Sequence, residues 1–148
     1  MLHVITTLND PLLDLIKDDP VRPEIPIAAR VCEDQAEVFV LIKDGAAAAV
    51  TCVRYTHDVP GSVTELANTD LPKVAVFYTI WSYRPGAGRE LIRQAQSHIQ
   101  LAKTEITRFV TLSPKTEMAR VFHHKNGART LRENADTVNY EYPTGTTI

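Results

Sequence analysis

The segment that most constrains this chain runs from Lys73 to Lys103, where an apolar extended run passes into a glycine-bearing turn and then into a helix with no spacer between them. Val74, Val76, Tyr78 and Ile80 alternate with Ala75, Phe77, Thr79 and Trp81, so both faces can be buried and the run predicts a strand central to a sheet. Tyr83-Arg84-Pro85-Gly86-Ala87-Gly88-Arg89 follows. From Gly88 to about Lys103, Leu91, Ile92, Ala95, Ile99 and Ala102 then share one helical face. A strand, tight turn and helix in this order aim backbone N–H groups at one point, where the helix N-terminus adds partial positive charge. Such a point suits an anion, and pyrophosphate in particular. Gly86 and Gly88 allow close backbone approach, while Arg84 and Arg89 are placed to neutralise charge at the rim.

Two glycines after a strand also serve as an ordinary turn, so the surrounding pattern decides. A dinucleotide fingerprint requires a third glycine where this chain has Leu91, and the Gly-Lys-Ser/Thr of a triphosphate loop is absent. Upstream, Leu2 to Thr6 predicts a short strand, and Asn9 or Asp10 a cap for a short helix with Pro11 in its first turn. Pro20, Pro23 and Pro26 interrupt the chain before Ile27 to Cys32 resumes as strand. Glu37 to Lys43, Asp44-Gly45 and Ala46 to Tyr55 predict an antiparallel hairpin. His57 to Pro72 predicts an irregular connection able to face a substrate. Downstream, Ile106 to Leu112 predicts a strand, and Ser113-Pro114 the start of a helix bearing Met118, Val121, Phe122 and Lys125 at helical spacing. Asn126-Gly127 is its stop, and Arg129 to Tyr142 supplies one or two terminal strands around Glu133-Asn134-Ala135-Asp136.

Val74 to Gly127 resembles the GCN5-related N-acetyltransferases, in which a strand, an Arg/Gln-x-x-Gly-x-Gly/Ala turn and a helix precede a strand, a helix and a Phe-Tyr-x-x-x-Gly-Phe ending. The matching segments are Val74 to Trp81, Tyr83 to Gly88, and Ala119 to Ala128 with Phe122-His123-His124-Lys125-Asn126-Gly127. The resemblance implies an α/β (α+β) fold: a mixed, mostly antiparallel sheet of six or seven strands flanked by helices, with its central strands splayed. It implies acetyl-coenzyme A as co-substrate, its pantetheine arm beside Phe77, Tyr78 and Thr79 and its pyrophosphate on Arg84, Pro85, Gly86, Ala87, Gly88 and Arg89. Thr116 and Phe122, on the helix from Pro114, would face the far side of the cofactor. It further implies direct transfer of acetyl to a primary amine of a small molecule, peptide or protein, and dimers are common among such proteins. Three positions depart from the pattern: Tyr83 replaces Arg or Gln, Thr116 replaces Asn, and His123 replaces the tyrosine that protonates the departing thiolate. Histidine can donate a proton, but with an ordinary pKa near 6.5 this role requires a raised pKa or a water relay. A fold that keeps the cofactor without transfer, a binding or regulatory module, is the alternative that His123 brings.

Glu65 and His57 are candidate bases for the acceptor amine, each also readable as a solvated loop charge or a turn residue. Adjacent helical residues point about 100° apart, so His123-His124 does not suggest a metal pair. The 148 residues fit one domain, 1–148. A net charge of −2 offers no general attraction to nucleic acid or anionic membrane. Cys32 and Cys52 read as buried free thiols, and with no export signal or long apolar run the cytoplasm is the expected location.

Overall fold

The computed structural model describes residues 1–144. In chain order these form β1 (Leu2–Ile5), 3-10 segments at Pro11–Asp18 and Ile27–Ala29, β2 (Ala36–Lys43), β3 (Ala46–Thr56), a 3-10 turn at Thr64–Ala67, and β4 (Val74–Ser82). There follow α1 (Ala87–Ala102), β5 (Arg108–Thr111), β6 (Ser113–Pro114), α2 (Glu117–Lys125), β7 (Arg129–Glu133) and β8 (Thr137–Tyr142). The eight strands form one sheet in the order β1-β2-β3-β4-β5-β8-β6, with β7 also on β8. All neighbours are antiparallel except β4 and β5. No helix among the described residues is long and apolar enough to cross a membrane.

The hairpin forms as its sequence dictates: Asp44 and Gly45 both take positive φ, at 53° and 77°, and so match the twist of β2 and β3. Each sheet face carries its own apolar layer. On one, Leu91, Ile92, Ala95 and Ile99 of α1 pack on Phe39, Val53, Ala75, Phe77 and Phe109, while Ala102 of the last turn is exposed. On the other, Leu13, Ile16 and Val31 from the N-terminal segment cover Val38, Val40, Val50, Val76 and Val110.

The fold departs from the local sequence signals at several places. Ile27 to Cys32 is not a strand: it is a 3-10 turn followed by a single bridge from Cys32 to Ala36. The cause is Arg30, whose fully buried guanidinium donates to Asp19 Oδ2 (2.6 Å), Ile25 O (3.0 Å) and Arg22 O (2.6 Å) and curls the segment around itself. Nor does Ser113-Pro114 open a helix. Ser113 pairs with Val138 and Pro114 with Thr137, and the Ser113 hydroxyl is taken up by Thr111 Oγ1 at 2.8 Å. The cap of α2 is Thr116, whose Oγ1 accepts from Ala119 N–H at 3.2 Å. Arg129 to Tyr142 resolves into two strands, and β6 brings the count to eight rather than six or seven. Cys52 is a fully buried free thiol whose pKa burial pushes up to about 11, whereas Cys32 is free but half-buried.

Candidate functional site

Strands β4 and β5 run in register from Val74 with Arg108 to Phe77 with Thr111, and Leu112 N–H makes one further bond to Phe77 O at 3.1 Å. There they part. β5 gives way to β6, which pairs with β8, while β4 continues to Ser82 against β3 alone. The expected splay is therefore present, and it begins one residue beyond Phe77, whose carbonyl is already occupied.

The parting coincides with a bulge. β3 matches Val53 to Phe77 and Cys52 to Thr79, which leaves Tyr78 as the extra residue. The consequence is that Tyr78 and Thr79 serve the same face. Tyr78 packs in the N-terminal apolar layer, and Thr79 Oγ1 donates to Asp19 Oδ1 at 2.7 Å. Asp19 also accepts from Val21 N–H (2.8 Å), Arg22 N–H (3.0 Å) and Arg30. Burial alone would raise the Asp19 pKa, but these donors together outweigh it and hold the carboxyl below its ordinary value. Arg22 extends the same network across the gap, with Nη2 donating to Leu112 O at 3.0 Å. Asp19 and Arg30 thus form a buried ion pair that fixes the floor of the opening, and the sequence carried no signal tying Asp19 to Thr79.

The opening is a cavity of about 470 Å³ between β4, the β5–β6 connection and α2. Phe77, Tyr78, Thr79, Gly88, Thr116, Phe122 and His123, all expected at the cofactor or reaction site, line it together. Pro20, Val21, Ser113 and Ala119 line it too and were not expected. Glu65 and His57 do not. Glu65 is exposed and accepts from Gly61 N–H at 2.6 Å, and the His57 ring lies 3.0 Å from Leu71 O.

Next to the cavity lies the turn. Tyr83 N–H is anchored on Ala48 O at 2.8 Å, and the Tyr83 hydroxyl accepts from Trp81 Nε1 (3.0 Å) and donates to Asp18 Oδ2 (2.7 Å). Gly86 takes φ 78°, a left-handed conformation costly for any other residue, and α1 starts at Ala87. The first-turn N–H groups of Gly88 and Arg89 have no backbone acceptor among the described residues and lie at the positive end of α1. Gly88 is buried, and a Cβ there would meet Phe122 Cζ at 3.1 Å. The two arginines differ. Arg84 turns away to the hairpin, donating to Asp44 Oδ2 (3.0 Å) and Lys43 O (3.3 Å). Arg89 is exposed and has no side-chain partner among the described residues.

His123 lies at the other wall, only 4% exposed. Its ring stacks on Tyr140 at 5.1 Å, meets Phe122 edge-on at 5.0 Å, and places Nδ1 2.7 Å from the Tyr142 hydroxyl. Burial, with a smaller contribution from His124, pushes its pKa down to about 4. The raised pKa that an imidazolium acid would require is not what this environment produces, because the aromatic wall desolvates the charged form. At neutral pH the ring is neutral.

No family model and no curated protein matches the chain. Among solved structures it is similar to malonyl-CoA decarboxylase from Agrobacterium vitis, at 22% identity and TM-score 0.67, over 82% of this chain and 35% of that one. It thus spans about a third of that protein's length. It is also similar to Tetrahymena GCN5, at 16% identity and TM-score 0.64 over 96% and 94% of the two chains. An acetyltransferase from Bacillus subtilis, solved in complex with CoA, superposes at 14% identity and TM-score 0.67 over 97% of each chain. The chain therefore has the fold of the GCN5-related N-acetyltransferases, as the turn and its flanking elements implied.

Proposed function

We propose that the chain binds acetyl-coenzyme A in the opening between β4 and β5 and passes the acetyl group to a primary amine. The observation that carries this reading is the continuity of the opening with the turn: one cavity runs from the unpaired edge of β4 to Gly88, beside free amides at the start of α1. The residues fit a pyrophosphate-bearing ligand, because Gly86 supplies the left-handed bend and Gly88 keeps clear the space that a Cβ would take from Phe122. The thioester, when bound, supplies an activated acyl group. The amides of Gly88 and Arg89 would hold phosphate oxygens, with Arg89 free to add charge and Arg84 committed to the hairpin. Phe77, Tyr78, Ile80 and Phe122 give the cavity an apolar lining for the reacting end. His123 would act there as a neutral hydrogen-bond donor rather than as an imidazolium. No carboxylate among the described residues lines the cavity, so the amine would enter already neutral or lose its proton to water.

That last feature favours a second reading, removal of CO2 from a malonyl-type thioester. A largely apolar chamber destabilises a substrate carboxylate, and a neutral donor can stabilise the negative charge that develops on the thioester oxygen. Similarity to malonyl-CoA decarboxylase supports the same class.

Incubation with saturating acetyl-CoA and a broad amine panel, in parallel with malonyl-CoA alone, separates the two. Amine-dependent release of free coenzyme A is expected from transfer. Acetyl-CoA and CO2 formed from malonyl-CoA with no free thiol would replace it by decarboxylation. Neither product, with coenzyme A binding intact, would mark a non-catalytic binding module.

A further inference from the structure

The wall that holds His123 also decides which of its nitrogens carries the proton. Tyr140 and Tyr142 face the ring from β8 and Phe122 from its own helix, while His124 meets Tyr140 rather than the ring itself, and no carboxylate bonds to it among the described residues. Among the described residues Nδ1 has one partner, the Tyr142 hydroxyl at 2.7 Å, in a buried pair. That hydroxyl has no second partner among the described residues. Two arrangements satisfy the distance. If Nδ1–H donated to Tyr142, the phenol proton would be left buried with no acceptor among the described residues, at the desolvation penalty of an unpaired donor. If the phenol donates to Nδ1, both groups are satisfied and the ring proton sits on Nε2. Nε2 bonds to no described residue, yet it is not among the sealed, unpartnered polar atoms, and His123 lines the large cavity.

We propose that Tyr142 is a positioning residue: its hydroxyl donates to Nδ1 of His123 and holds the imidazole as the neutral tautomer that presents Nε2–H to the cavity. This rests on the reading of the cavity as the reaction site. It converts a buried histidine, unable to serve as a charged acid, into a fixed dipole aimed at the space where thioester oxygen or sulfur would lie. Burial, which lifts the Tyr142 pKa, keeps the phenol protonated throughout the working range.

The tautomer is observable without turnover. Long-range proton–nitrogen correlation spectra of the protein labelled with 15N-histidine, with His123 assigned from the signals lost in His123→Gln, should show an unprotonated Nδ1 and a protonated Nε2. The pattern should stay unchanged from about pH 8 to about pH 5.5. In Tyr142→Phe the fixed pattern should give way to exchange between tautomers. A wild-type spectrum with the proton on Nδ1, or a ring that titrates between pH 6 and 7, overturns the proposal. So does a Tyr142→Phe spectrum identical to wild type. Addition of coenzyme A should move the Nε2 signal. If the tautomer is as stated and coenzyme A leaves it unmoved, the positioning role stands and the assignment of the cavity to a thioester falls.

Discussion

The two halves of β4 are both largely buried but differ in what holds them. Val74 to Phe77 has a strand on each side and buries Val74, Ala75, Val76 and Phe77 almost completely, so apolar packing and ladder bonds suffice to hold it. Tyr78 to Ser82 has a neighbour on one side only, carries the bulge, and is held by polar ties. Thr79 Oγ1 reaches Asp19, and Thr79 O accepts from Thr51 Oγ1 at 2.8 Å. The partner strand is withdrawn, and the stability it would have given is replaced by a buried charge network from a distant part of the chain.

Removing the network has the largest expected effect. Asp19→Ala leaves Arg30 buried and uncompensated and should cost about 3–5 kcal/mol in a denaturant titration. Val76→Ala, in the doubly paired half, should cost about 2 kcal/mol by loss of buried methyl groups. Equal costs would mean that the upper half does not depend on the ion pair.

Acid acts on His123 and Asp19 in different pH ranges. His123 has a folded pKa near 4, below the unfolded value of about 6.5, so the unfolded chain binds the extra proton between them. The stability contributed by its neutral form is complete above pH 6.5 and declines as pH falls towards 4, by on the order of 3 kcal/mol. His123→Gln should flatten that window. Asp19, whose pKa is lowered, keeps its contribution above about pH 3.9 and loses it only as pH falls through its depressed folded value. Unfolding measured at pH 7, 5 and 3.5 distinguishes the two.

Smaller effects belong to the turn. Gly88→Val would drive a branched side chain into Phe122 and should weaken coenzyme A binding at least tenfold by calorimetry, while Gly86→Ala should cost about 1 kcal/mol of stability. Arg89→Ala should weaken coenzyme A binding by about threefold to tenfold. Arg84→Ala should change neither binding nor stability by more than about 0.5 kcal/mol, because its ion pair with Asp44 is exposed.

The hairpin, β4, the turn and α1 were legible because each is written in residues adjacent in sequence: alternation, Asp44-Gly45, Gly86 and the periodic face of α1. The walls of the site were less so. Ile27 to Cys32 has the composition of a strand, but one buried arginine bends it, and that arginine finds its carboxylate 11 residues upstream. Ser113-Pro114 has the local signature of a helix start, yet its hydroxyl bonds to Thr111 and β8 claims its backbone. His123 was singled out from the family pattern, but its protonation depends on Tyr140 and Tyr142, which no local pattern brings to it. Local signals specify elements. The electrostatics of this cavity come from pairs far apart in sequence.

Coenzyme A is expected to lie in the opening of β4. Backbone amide chemical shifts of the 15N-labelled protein, followed as coenzyme A is added, test this directly. The shifts should concentrate at Tyr78 to Ser82 and Gly86 to Arg89, with Phe122 and His123 on the facing helix. Saturable binding that leaves these residues unmoved, or no binding at millimolar coenzyme A, would contradict it.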